Sequence, residues 1–191
     1  MKKYVFFQSQ LDNWYDLALR LKKNKIAEPI LSIGNNRLDY LVKKSFNTEI
    51  INTYDQYQVG KDNVEISSLA KKFLSSKRYN YVKDICLKMM DREDIVGVIR
   101  QIDREPIFYY WTLLSCEKLE KLKPDFLLMS ESPHSYLQYL IYEICEFNSI
   151  KTLSFGVMTK FVPILYLRLG IYGNKVKFEK KPYSSDIDSF L

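Results

Sequence analysis

Short apolar segments alternate with amphipathic helical segments along most of this chain, and this alternation restricts its fold more than any other feature. Apolar runs predict strands at residues 3–8, 29–33, 48–52, 126–129 and 151–155. Residues with helical spacing separate these runs, and strand-helix-strand order makes neighbouring strands parallel through right-handed crossovers. We therefore predict an α/β fold, with a Rossmann-like parallel sheet of about five strands and helices on both faces.

The helical segments are predicted from the spacing of apolar residues and from capping residues. They cover residues 12–23, a second helix around 38–42, then 64–90, 105–121 with Pro106 in its first turn, and 133–147. After Gly156 the pattern weakens, and we expect a short helix over 161–169 and a strand at 176–178. A length of 191 residues suits one core. We predict a single Rossmann-like domain over 1–191, with 157–191 as a C-terminal extension.

The chain is basic, with a formal net charge of +6, but its cations form no convincing cluster along the sequence. Lys22 and Lys23 close the first helix, where cations complement the helix dipole, and Lys71 and Lys72 lie on a polar helical segment. Solvated helix faces explain these positions, so we predict no nucleic-acid partner. A peripheral association with anionic lipid headgroups stays open.

The spacing of the cysteines and the length of the apolar runs indicate the cellular compartment of the protein. The three cysteines, Cys86, Cys116 and Cys145, have no short spacing and lie beside apolar residues, so we expect reduced, buried thiols. The apolar run that follows Lys2 and Lys3 is too short for a signal peptide, and no stretch approaches the roughly 20 apolar residues of a membrane span. We predict a cytoplasmic protein, with a position at the inner membrane surface as an open alternative.

One strand end combines the predicted geometry with titratable chemistry. The run 126–129 leads directly into Ser130, Glu131, Ser132, Pro133 and His134, which is the only histidine of the chain. Loops at the carboxyl ends of parallel strands surround the ligand in open α/β sheets. Glu131 is therefore the candidate general base for a hydroxyl group, and His134 the candidate acid/base or phosphate contact at a helix N-terminus. The alternative is that both residues only stabilise the turn.

Four further residues are candidate binding groups. Gln8 and Ser130 lie at adjacent strand ends, and would be hydrogen-bonding neighbours of the two titratable groups. Arg92 and Arg104 could each bind a phosphate or carboxylate in bidentate fashion, although ordinary ion pairing would also explain them.

Motifs for other chemistries are absent from the sequence. A single histidine cannot form a histidine-rich metal site, and no carboxylate cluster has metal-ligand spacing. The glycine patterns of dinucleotide-binding proteins, P-loop proteins and α/β-hydrolases do not occur. We therefore predict neither a metal nor a cofactor.

Several short motifs, taken in order, resemble a known family. They are Met89-Met90-Asp91-Arg92, Arg104, the helix with Trp111, Lys123-Pro124-Asp125, Ser130-Glu131-Ser132-Pro133-His134 and Ile150-Lys151-Thr152-Leu153. This series is similar to the N-terminal portion of bacterial capsule and surface-polysaccharide biosynthesis proteins, which resemble glycosyltransferases of the GT-B type. The similarity covers about two thirds of the chain.

The resemblance implies an acceptor-side domain for glycosyl transfer. In that architecture the N-terminal domain shapes the site for a glycan or lipid-linked acceptor, and a second domain binds the nucleotide-sugar donor. This chain ends at Leu191, where the second domain would begin. The resemblance then implies a part of a longer protein, a chain that works with a separate donor-domain chain, or a non-catalytic module that binds a glycan or a partner.

Overall fold

A six-stranded sheet with the strand order β3-β2-β1-β4-β5-β6 forms the centre of the protein in the computed structural model. The structure describes residues 1–7, 12–34, 36–60, 63–94, 97, 99–158 and 164–169. The strands are β1 Lys2–Phe7, β2 Ala27–Gly34, β3 Glu49–Asn52, β4 Phe126–Met129, β5 Lys151–Met158 and β6 Ile164–Leu169. Strands β1 to β5 are parallel, which confirms the predicted Rossmann-like α/β fold.

Six α-helices occur among the described residues, and the sheet separates their apolar contacts into two clusters. The helices are α1 Asp12–Lys23, α2 Asn36–Ser45, α3 Ser68–Leu74, α4 Lys77–Glu93, α5 Gln101–Leu122 and α6 Tyr136–Phe147, with a 3₁₀ helix at Thr53–Tyr57. Alternate residues of β1 divide between the clusters, because successive strand residues point to opposite faces. Tyr4 and Phe6 pack with α1 and α2, whereas Val5 and Phe7 pack with α3 to α6. Helices therefore cover both faces.

The last described strand corrects one expectation. A short helix was predicted over residues 161–169, but residues 164–169 form β6, which pairs antiparallel with β5. A short, continuously apolar run does not distinguish a buried strand from a buried helix. The strand expected at residues 176–178 lies outside the described residues.

The helix predicted from residue 133 begins at Tyr136 with Ser135 as its N-cap, so His134 lies just before the helix. Two further helix boundaries differ from the predicted ones. The helix expected over 64–90 is divided into α3 and α4 at Ser75 and Ser76, and the Ser76 side chain accepts the Tyr79 N–H as the N-cap of α4. Helix α5 begins at Gln101, so Pro106 lies inside it and not in its first turn. The missing N–H of Pro106 removes only one hydrogen bond near the N-terminal end.

Candidate functional site

The strand order reverses between β1 and β4, and this defines a crevice at their carboxyl ends. From β1 the chain proceeds to β2 on one side, and from β4 it proceeds to β5 on the other side. Open α/β sheets bind ligands outside such a reversal point. Ser130, the residue after β4, is buried, and its N–H donates to the Phe7 carbonyl over 3.1 Å. The loop with Glu131 and His134 thus leaves the sheet at the crevice. Gln8 lies outside the described residues.

Glu131 and His134 form an exposed pair in this loop. The His134 Nδ1 atom lies 3.6 Å from Glu131 Oε1, and the two side chains are 61% and 47% exposed. A hydrogen bond of 2.9 Å from the His134 backbone N–H to Gln138 Oε1 holds the loop against the first turn of α6. Helix α6 begins with a reciprocal capping box between Ser135 and Gln138. At 3.6 Å the two side chains are beyond hydrogen-bond distance, and His134 Nδ1 is nearer to the Ser132 carbonyl oxygen, at 3.4 Å.

Arg92 reaches the same loop from the end of α4. Its guanidinium donates to the backbone carbonyl of His134, and the side chain is otherwise exposed. The structure therefore brings three of the candidate residues, Glu131, His134 and Arg92, to one place beside Ser130.

Arg104 has a different environment. Its guanidinium is paired with Asp91 and, at 3.3 Å, with Asp94, and it also donates to the Ile99 carbonyl over 3.3 Å. The Arg104 side chain is only 12% exposed. Two carboxylates balance the positive charge of Arg104. Arg104 therefore forms the ordinary ion pairs that were the alternative to binding an anionic ligand.

A half-buried cluster below the loop was not found from the sequence. Glu93 accepts the Tyr136 N–H over 2.8 Å and the Tyr57 hydroxyl, while the Tyr136 hydroxyl donates to the Gln56 carbonyl. Burial raises the pKa of Glu93, and the hydrogen bonds from Tyr57 and Tyr136 oppose this shift. Burial also raises the pKa of both tyrosines. The only signal in the sequence was that the charged run 91–94 interrupts an apolar pattern.

A cleft of about 690 Å³ lies at the carboxyl end of β3, between the 3₁₀ helix and α5. Its floor includes Ile51 and Trp111, and its rim includes Asn52, Asp55 and Glu117. The Trp111 indole N–H donates to the Gln58 carbonyl over 3.2 Å. This hydrogen bond joins α5 to the segment after the 3₁₀ helix, which forms one wall of the cleft. Glu131 and His134 do not line this cleft.

Two contacts define the shape of the wall between this cleft and the loop. A methyl group on Gly60 would overlap the Tyr110 hydroxyl, so a larger residue at this position would require the Tyr110 ring to move. Tyr57 lines a smaller cavity of about 410 Å³ next to the cleft and also bonds to Glu93. Residues 56–60 thus connect the cleft with the cluster below the loop.

The described residues contain no group of three or more histidine, cysteine, aspartate or glutamate side chains placed to hold a metal ion. None of the helices there has both the length and the apolar character needed to cross a membrane.

The fold and the crevice define the class of the protein: an α/β protein with Rossmann strand order and a polar loop at the reversal point of its sheet. No protein-family model matches the chain, and no curated protein sequence matches it significantly.

Proposed function

We propose that this chain is the acceptor-side domain of a glycosyltransferase-type protein of surface-polysaccharide biosynthesis. The observation that carries the proposal is the exposed pair of Glu131 and His134, 3.6 Å apart, at the reversal point of the sheet. The resemblance of the motifs from Met89 to Leu153 to capsule-biosynthesis proteins supplies the substrate class: a nucleotide-sugar donor and a glycan or lipid-linked acceptor.

The proposed chemistry uses Glu131 as the general base. Its carboxylate takes the proton of an acceptor hydroxyl as that oxygen forms a bond to the anomeric carbon of the donor sugar. The bond from the anomeric carbon to the diphosphate oxygen breaks, and the nucleoside diphosphate leaves with the electron pair. His134 either orients Glu131 or donates a hydrogen bond to the leaving diphosphate, and a donor-binding domain or chain holds the nucleotide.

A non-catalytic module is the second candidate, and one observation favours it. The cleft of about 690 Å³ combines Trp111 in its floor with amide and carboxylate groups at its rim, yet Glu131 and His134 do not line it. A site built in this way suits binding without chemistry. In that case the chain holds a glycan or a partner chain in the cleft.

Transfer of labelled sugar distinguishes the candidates. The chain is incubated with radiolabelled uridine-, guanosine- and cytidine-linked sugars and a bacterial glycolipid extract, alone and with a separate donor-binding chain where one is encoded nearby. We expect Glu131→Gln and His134→Ala each to lower the transfer rate by about 100-fold or more. The matched control Glu105→Gln, an exposed carboxylate on α5 that pairs with Lys83, leaves the rate within about twofold.

The outcomes separate the two candidates. Glycan binding with no transfer, and equal binding by Glu131→Gln, would favour the module. Transfer at the wild-type rate in both variants would remove Glu131 and His134 from the mechanism. The absence of both transfer and glycan binding would contradict the transferase and the glycan-binding form of the module.

A further inference from the structure

The loop of the candidate site, residues 130–135, is held at its end by side chains of two helices. From α6, Gln138 Oε1 accepts the His134 N–H over 2.9 Å and the Ser135 N–H over 3.2 Å. The Ser135 hydroxyl accepts the Gln138 N–H in return, so these contacts are the capping box of α6. The capping box accounts for the start of the helix, but it does not include the His134 carbonyl or the Tyr136 N–H.

Two consecutive residues at the end of α4 bind these two groups. The Arg92 guanidinium donates to the His134 carbonyl, 42 residues later in the chain. Glu93 Oε1 accepts the Tyr136 N–H over 2.8 Å, 43 residues later. The backbone is thus hydrogen-bonded to side chains at three successive residues, whereas the His134 side chain is exposed. A fixed backbone that presents an exposed titratable group is what a reacting loop requires.

The 3₁₀ helix in turn fixes Glu93. Glu93 Oε2 accepts the Tyr57 hydroxyl, and the Tyr57 ring centroid lies 5.7 Å from that of Tyr136. The Tyr136 hydroxyl donates back to the Gln56 carbonyl. A half-buried carboxylate costs desolvation free energy that an apolar side chain would avoid, so stability alone is a poor explanation for Glu93 at this position.

We propose that Arg92 and Glu93 are positioning residues, which hold the loop so that Glu131 and His134 stay at the crevice. The contact with the His134 carbonyl assigns Arg92 to the loop and not to an anionic ligand. Reacting groups are most effective when packing and hydrogen bonds restrict them to the productive geometry. The inference rests on the proposed function only for the reaction that the loop performs.

Amide hydrogen exchange of the full chain, labelled with ¹⁵N-histidine, tests the positioning. His134 is the only histidine, so a single backbone amide signal reports on the loop without any substrate. Loss of a charged hydrogen bond makes local opening easier, so this amide should exchange about tenfold faster in Arg92→Met and in Glu93→Ala. Arg92→Lys should stay within about threefold of wild type, because an ammonium group also donates to a carbonyl.

Two matched controls separate positioning from a general loss of stability. Arg78→Met breaks the ion pair with Glu143 that joins the same two helices, and it should change His134 exchange less than about threefold, because opening of the loop does not break that pair. Tyr57→Phe and Tyr81→Phe each remove one hydroxyl. Tyr57→Phe should raise the exchange rate about fivefold, since Glu93 loses one bond, whereas the exposed Tyr81 should have no effect.

Transfer kinetics provide a second measurement. A positioning residue acts on the rate of the bound complex, so Arg92→Met should lower kcat about tenfold and leave the KM for the nucleotide sugar unchanged. Arg92→Lys should restore kcat. A direct contact of Arg92 with the diphosphate would instead raise KM.

Two results would overturn the inference. The first is an equal His134 exchange rate in wild type, Arg92→Met and Glu93→Ala. The second is a shift of the His134 signals by inorganic phosphate that Arg92→Met abolishes, because this would assign Arg92 to an anion. Absence of transfer in wild type would contradict the proposed function alone, since the exchange rates require no substrate.

Discussion

Glu93 links the loop of the candidate site to the body of the protein. Its carboxylate accepts from the N–H of Tyr136, 43 residues later, and from the hydroxyl of Tyr57, 36 residues earlier. The sequence indicated Glu131 and His134, because titratable residues that follow a strand are visible locally. It could not indicate Tyr57 and Glu93, because only tertiary packing makes them partners.

Replacement of Glu93 should change how stability depends on pH. Burial raises the pKa of Glu93 above its ordinary value of 4.5, so the native state binds this proton more tightly than the unfolded state does. The stabilisation is complete below pH 4.5 and is lost as the pH rises through the raised pKa. In urea unfolding, the free energy of wild type minus that of Glu93→Gln should therefore be larger at pH 4.5 than at pH 7.

Glu120 provides a control of opposite sign. The Ser68 hydroxyl and the Leu69 N–H lower the pKa of this carboxyl, so its stabilisation is present at neutral pH and decreases in acid. The free energy of unfolding of wild type minus that of Glu120→Gln should therefore be smaller at pH 4.5 than at pH 7. If the difference between wild type and Glu93→Gln were also smaller at pH 4.5 than at pH 7, this would contradict the assignment of Glu93 to a buried environment that raises its pKa.

At the scale of elements, helices α4 and α6 are joined by an ion pair whose two side chains differ in burial. Arg78 Nε lies 2.6 Å from Glu143 Oε2, and the side chains are 38% and 7% exposed. The sequence predicted both helices from apolar spacing, but the division between α3 and α4 depends on Ser76 and its capping bond, which apolar spacing does not reveal. Local sequence patterns thus predicted the presence of helices more accurately than the ends of those helices. They also wrongly predicted a helix where β6 forms.

Loss of the arginine should leave Glu143 buried without its charged partner. We expect Arg78→Met, which keeps the apolar stem, to lower the free energy of unfolding by about 1–3 kcal/mol. The control Arg100→Met breaks the exposed pair with Asp103 and should leave the urea midpoint unchanged. Arg78→Met/Glu143→Leu should regain the lost stability, since an apolar pair requires no desolvation of charge. No recovery in the double variant would contradict this explanation.

At the scale of the whole molecule, the sheet has a protected centre and a less protected edge. Strands β1 and β4 each have a paired neighbour on both sides, whereas β3 pairs only with β2 among the described residues. The alternation of strands and helices was enough to predict a parallel sheet. The adjacency of β1 and β4 was not predictable in this way, because Lys3 and Asp125 are 122 residues apart.

Hydrogen exchange should report this arrangement. Residues 4–7 of β1 and all residues of β4 are buried on both faces of the sheet, so their backbone amides should exchange only through global unfolding, and so most slowly. Amides of β3 should exchange faster, by local opening. Mass spectrometry of peptides from residues 2–7, 49–52 and 126–129 measures the difference, and equal protection of β1 and β3 would contradict it.

The pairing of β1 with β4 also has a consequence for synthesis of the chain on the ribosome. The first three strands are made early and can pair at once, but β1 then has one open edge along the apolar residues from Tyr4 to Phe7. Open apolar edges are templates for aggregation. The edge of β1 stays open until β4, which ends at Met129, has left the ribosome and paired with it, and the crevice forms only at that point.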